Sequence, residues 1–78
     1  MSRNRVERLT DERVAQVVLR LLNEPMRLIE LRETLRKKGV LISYTRLKKV
    51  MDYLVEKGYV ACFKYGKAIM YIKKEIVN

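Results

Sequence analysis

The stretch that decides the fold runs from Ser43 to Val60 and reads SYTRLKKVMDYLVEKGYV. Its apolar residues Leu47, Val50, Met51, Leu54 and Val55 recur at the three- and four-residue spacings that place side chains on one face of an α-helix. Ser43 stands just before them, where a side-chain oxygen accepts a hydrogen bond from a free N–H of the first turn. Gly58 stands just after them, where a helix commonly ends in left-handed backbone. The pattern predicts a helix over 44–57. Beyond Gly58 the period changes. Residues 59–65 are rich in β-formers, Gly66-Lys67 suits a two-residue type II′ turn, and residues 68–72 continue as a second strand. In the implied register Tyr65 faces Ala68, Phe63 faces Met70 and Ala61 faces Ile72, while Val60, Cys62, Lys64, Ile69 and Tyr71 take the other side. Both sides are partly apolar, so the pattern leaves open which one covers the helices.

Working back towards the N-terminus, Gly39 marks the end of another helix, predicted over 29–38 with Leu28, Leu31 and Leu35 as its buried stripe. Arg36, Lys37 and Lys38 fall in its last turn, where cations suit the helix dipole. Val40-Leu41-Ile42 is a short apolar connector to Ser43. A first helix is predicted over 11–23, with Thr10 as its cap and Asp11 and Glu12 in its first turn. Val14, Val17, Val18, Leu21 and Leu22 form its apolar face, and Pro25 ends it. Met26-Arg27-Leu28 reads as a short extended segment. The expected fold class is α+β, in the order helix, short strand, helix, helix, strand, strand (α1-β1-α2-α3-β2-β3). One domain over 10–74 carries it, with a basic arm at 1–9 and a tail at 75–78.

The chain has 78 residues, enough for one small core and too few for the large enzyme architectures. It has no His and one Cys, which removes the commonest acid–base group, a closed zinc site and an internal disulfide. Neither a nucleophile–base pair with His, nor a glycine-rich phosphate loop, nor a carboxylate cluster at metal-ligand spacing is present. No enzymatic activity, cofactor, metal or small-molecule substrate is therefore expected. No apolar run is longer than five residues, so neither a membrane span nor a signal peptide is predicted, and the expected location is the cytoplasm.

Charge is the strongest remaining signal: 18 Lys and Arg against 9 Asp and Glu, a net +9. The excess is not spread evenly. Residues 1–33 carry seven bases and six acids, whereas 34–51 carry six bases and 57–74 five, both without an acid. Such single-signed stretches repel themselves and point to an anionic partner.

The spacing of Leu31, Leu35, Gly39 and Ser43, then Leu47, Met51, Leu54, Gly58, Tyr59 and Val60, and last Gly66, Lys67, Tyr71 and Ile72 resembles the winged helix-turn-helix domains of small prokaryotic transcription regulators of the PadR- or MarR-like kind. The similarity covers about residues 10 to 74. Two features depart from the pattern: the Gly39–Ser43 connector is longer than the tightest such turns, and Arg27 stands where a Ser or Thr cap is commoner. The resemblance implies that helix 44–57 enters the major groove of double-stranded DNA and that the hairpin touches backbone or minor groove.

On that implication Arg46 is the candidate for a bidentate guanine contact. Ser43, Tyr44 and Thr45 are placed to meet bases or phosphate, and Lys48 and Lys49 to neutralise phosphates. Lys64, Tyr65 and Lys67 form the hairpin tip, and Arg36, Lys37 and Lys38 are further candidates for backbone contacts. Competing readings stay open. Lys48 and Lys49 equally suit a solvated face, Tyr44 equally suits packing on the hairpin, and Arg36–Lys38 suit a helix C-terminus better than a DNA contact. Arg3, Arg5 and Arg8 read as a minor-groove arm or as a tail, and Cys62 as a strand packing residue. A homodimer would use helix 11–23 and the arm, with Leu9 and Leu19 apolar and off the main stripe. Two other functions compete: a protein-interaction module in a larger assembly, and an RNA or single-strand binder stacking bases on Tyr44, Tyr53 and Tyr65. The many charged residues and few amides lean towards a thermophilic host.

Overall fold

The computed structural model describes residues 9–74. Helix α1 spans Asp11–Leu21, strand β1 Met26–Arg27, helix α2 Leu28–Lys37, helix α3 Tyr44–Glu56, strand β2 Val60–Tyr65 and strand β3 Ala68–Lys73. The expected order is therefore the observed one. The basic arm, apart from Leu9, and the tail lie outside the described residues.

Each helix begins and ends for a local reason. Thr10 Oγ1 accepts from the Arg13 N–H at 3.2 Å and Ser43 Oγ from the Arg46 N–H at 3.1 Å. Arg27 precedes α2, and a guanidinium has no acceptor to offer. Here the fourth residue along takes over: Glu30 Oε1 accepts from the Arg27 N–H at 2.8 Å. At the far ends of α2 and α3 the chain closes in paired reverse bonds. Gly39 N–H donates to Arg36 O and Val40 N–H to Leu35 O; Gly58 N–H donates to Val55 O and Tyr59 N–H to Leu54 O. These bonds require left-handed backbone, and Gly39 and Gly58 adopt it with φ of 88° and 86°.

Helix α1 stops two residues short of the predicted Asn23. Leu22 leaves helical backbone with ψ of 59° while its side chain is fully buried, and Asn23 Nδ2 covers the freed Arg20 carbonyl at 3.3 Å. Helix α2 begins and ends one residue earlier than predicted, and α3 ends one residue earlier, with Lys38 and Lys57 serving as C-caps.

The hairpin has the predicted register, Tyr65↔Ala68 through Val60↔Lys73. Gly66 has φ of 65° and Lys67 has no positive φ, which excludes a type I′ turn and agrees with type II′. The β1 strand adds to the other edge of β3, with Met26↔Tyr71 and Arg27↔Met70, so the sheet order is β1-β3-β2.

Among the described residues the core comprises Val14, Val18 and Leu22 of the first helix segment, Leu28, Leu31, Leu35 and Ile42, then Leu47, Val50, Met51 and Leu54 of α3, and Val60 and Tyr71 of the sheet. Each such aliphatic side chain removed from water contributes about 1.5–3 kcal/mol. Among the described residues no charged side chain is buried. Val60 and Tyr71 decide the question that the sequence pattern leaves open: their side of the hairpin covers the helices. Only the base of the hairpin is covered. Cys62 lies on the covered side yet is exposed, so it is not the packing residue expected of it. The Arg32 Nε donates to Ile42 O at 3.1 Å and pins the α2–α3 connector.

Candidate nucleic-acid interface

Helix α3 turns Leu47, Val50, Met51 and Leu54 inwards. Helical geometry then puts Thr45, Lys49 and Asp52 along the ridge farthest from the core, with Tyr44 and Lys48 on the flank nearest the sheet. All five are exposed. The first turn of α3 holds no acidic residue, in contrast to α1 with Asp11 and Glu12 and α2 with Glu30. The positive end of the α3 dipole is left without a carboxylate from its own helix, an arrangement that favours an anion.

Lys48 and Asp52 lie one turn apart and form an ion pair, with Nζ at 3.0 and 3.1 Å from the two carboxylate oxygens. The hydrogen bond to Asp52 and its negative charge raise the Lys48 ammonium above its ordinary value. Arg46 behaves differently from its neighbours. It sits one step off the ridge, on the flank facing α1, and its Nε donates to Asp11 Oδ1 at 2.8 Å. A second guanidinium nitrogen donates to Leu9 O at 2.6 Å. Its side chain keeps 34% of its exposure. The fork that would read a guanine is thus occupied in joining α3 to the start of α1.

Three depressions flank α3. A cleft of about 330 Å³ separates it from the sheet and is lined by Arg27, Leu28, Ile29, Tyr44, Lys48, Ile69 and Tyr71. Burial pushes the Tyr71 phenol above its ordinary value, and the nearby Cys62 adds to this. A shallow depression of about 310 Å³ at the front of the helix brings Arg32 and Arg36 to Ser43. A groove of about 650 Å³ on the α1 side includes Leu19, Lys49, Tyr53 and Tyr59.

No protein-family model and no curated protein matches the chain. A solved structure does: one giving insights into the DNA recognition and protein interaction domains of HOP2 and its homologous DNA pairing has a TM-score of 0.68 to this chain, at 23% identity, over 78% of this chain and 98% of that one. The domain is a winged helix. The PadR- and MarR-like resemblance therefore stands only at the level of this shared fold.

By fold, α3 stands in the position of a winged helix's recognition helix and β2–β3 in that of its wing. The predicted residues divide into groups. Ser43, Tyr44, Thr45, Lys48 and Lys49 share one surface on α3, with Ser43 Oγ engaged as the cap. Lys64 is paired with Ile69 across the wing, and Ile69 lines the cleft opposite Tyr44 and Lys48, so the wing and α3 border one concavity. Lys67 and Tyr65 are exposed at the tip, Tyr65 at 73%. Arg36 reaches the front of α3 although it also lies 3.5 Å from Glu33, whereas Lys37 and Lys38 do not line that depression. Leu9 and Leu19, the apolar residues assigned to a dimer surface, are half-buried against the chain's own core.

Sequence reasoning missed Arg27, Ile29 and Ile69 as walls of the cleft. The signal was weak because Arg27 and Ile69 meet only through the pairing of β1 with β3. Among the described residues, no helix is long and apolar enough to cross a membrane.

Proposed function

We propose that this winged helix binds duplex DNA as a transcriptional regulator, with α3 in the major groove and the wing on the adjacent backbone or minor groove. The observation that carries the reading is the recognition helix itself. Its first turn is free of acid, and its outward side presents Thr45, Lys48 and Lys49 beside a cleft shared with the wing. Thr45 and Tyr44 are the base-facing candidates, and Lys48, Lys49, Lys64 and Lys67 meet phosphates. Arg46 acts in this reading as a positioning residue, because its Nε and one Nη2 donor are engaged with α1 and the residue before its cap. A single module of this size buries too little for tight specific binding, so two copies on an inverted repeat complete the site.

Titration of a labelled duplex at several salt concentrations tests the reading. Neutralising about four phosphates per copy, one for each of these lysines, gives a log–log slope near −3.6 per copy. Lys49→Ala makes the slope shallower by about 1, whereas Thr45→Ala alters sequence preference. Absence of duplex binding at low salt refutes it.

A second reading, docking to a protein partner, has one observation in its favour: the groove beside α1 exposes Tyr53 and Tyr59 at 52% and 45% over an apolar floor. The solved HOP2 domains, described for both DNA recognition and protein interaction, are compatible with it.

A further inference from the structure

The sheet has a second face, turned away from the helices, that the duplex reading does not use. Register and alternation place Ala61, Phe63 and Tyr65 of β2 on it beside Ile72, Met70 and Ala68 of β3. Phe63 is 39% exposed and Tyr65 73%. The two rings stand on alternate residues of one strand, about 6.8 Å apart along it. Positive charge borders the row at both ends: Lys67 stands at the turn, and Lys74 lies two residues beyond Ile72, its N–H bonded to Tyr59 O. Arg27, level with Met70 across the β1–β3 pairing, also lines the cleft on the covered side and has its guanidinium 3.7 Å from Glu30. Residues 57–74 contain no acid.

We infer that this outer face is a stacking platform for unpaired nucleobases, with Phe63 and Tyr65 each taking one base of a single strand and the basic border following its phosphates. Aromatic rings on an open sheet, with positive charge at both ends of their row, fit single-stranded nucleic acid. A second copy of the chain fits poorly. Two six-residue strands offer a face of only about 200 Å², against about 800 Å² per partner in a stable interface. Each copy would also bring its +9 to the contact.

The platform is separate from the α3 surface, so the two can fail independently. The test uses fluorescence anisotropy of the full chain with a labelled oligo(dT) of about 12 nucleotides and, in parallel, with a duplex. The variant Phe63→Leu keeps apolar bulk and removes the one ring of the row that lies away from the wing tip. Its oligo(dT) affinity falls at least about fivefold while duplex affinity stays within about twofold. Tyr65→Phe, which keeps the ring, retains the parent's oligo(dT) affinity and guards against a mere loss of fold. Lys49→Ala gives the opposite pattern, weakening the duplex and sparing the oligo(dT). The inference is overturned if the parent fails to bind oligo(dT), if the leucine variant binds it as the parent does, or if both ligands are lost together. It is also overturned if sedimentation shows a parent dimer that the leucine variant dissociates, because the face then joins copies of the chain.

Discussion

Replacing Arg46 by Ala separates two roles that a basic residue at the front of a recognition helix can have. In the structure its guanidinium donates to Asp11 Oδ1 at 2.8 Å and to Leu9 O at 2.6 Å. Asp11 keeps 70% of its side-chain exposure and Arg46 34%, so water screens the ion pair, and it is worth about 0.5–1 kcal/mol. The bond to the half-covered Leu9 carbonyl adds about 1–1.5 kcal/mol, a charged donor's contribution reduced by its partial exposure to water. Together they give a loss near 2 kcal/mol, which for a domain of this size lowers Tm by about 8–15 °C. Circular dichroism during a thermal ramp measures it. A double-mutant cycle with Asp11→Asn isolates the pair, with a coupling of about 0.5–1 kcal/mol. Against a panel of duplexes differing at single positions, the parent's ranking is retained below Tm. A base-reading arginine predicts the reverse: Tm unchanged within about 2 °C and relaxed preference at one base pair, worth about 1–3 kcal/mol. That reverse outcome refutes the positioning role.

Asp52→Asn releases Lys48 from its ion pair and removes one negative charge from the outward side of α3, so duplex binding tightens and the salt slope steepens by up to about 1. Slope measurements on parent and variant check it. Tyr71 has a phenol raised by burial, so the fold disfavours its ionised form. Its contribution is whole below the unfolded value of about 10 and is lost as pH rises through the higher folded value. Alkaline denaturation followed at fixed temperature shows this loss, and Tyr71→Phe makes the stability less steep above about pH 10. Gly58→Ala meets no neighbour within 4 Å, so its cost comes from φ of 86° alone. That is about 1–2 kcal/mol, read from urea midpoints.

Much of the fold is legible in residues 43–60 because helix signals are local. A cap at Ser43, an apolar face repeating every third or fourth residue and a glycine at 58 each act within one or two turns. The hairpin is legible for the same reason, since Gly66-Lys67 sets its register without reference to the helices. The start of α2 was harder to read, because its capping bond comes from Glu30 and not from the residue at the cap.

Placement across the fold is another matter. Two partly apolar hairpin faces are equivalent until Val60 and Tyr71 are seen against the helices. The β1 strand is two residues long, too short to declare its partner, and only the assembled sheet sets Arg27 beside Met70. Cys62 reads as packing by its neighbours and is exposed because it stands on the edge strand β2, opposite the buried Tyr71 of the central strand.

Arg46 marks the division most sharply. Its sequence position allows it to face outwards with Thr45 or sideways towards α1, since one residue turns a helix by only about 100°. Asp11, 35 positions away, takes its guanidinium. The chain by itself determined the elements and the sign of the charge, which depend on neighbours a few residues apart. Which of those charges stand free on α3 depends on contacts between distant segments, and that only the tertiary structure decided.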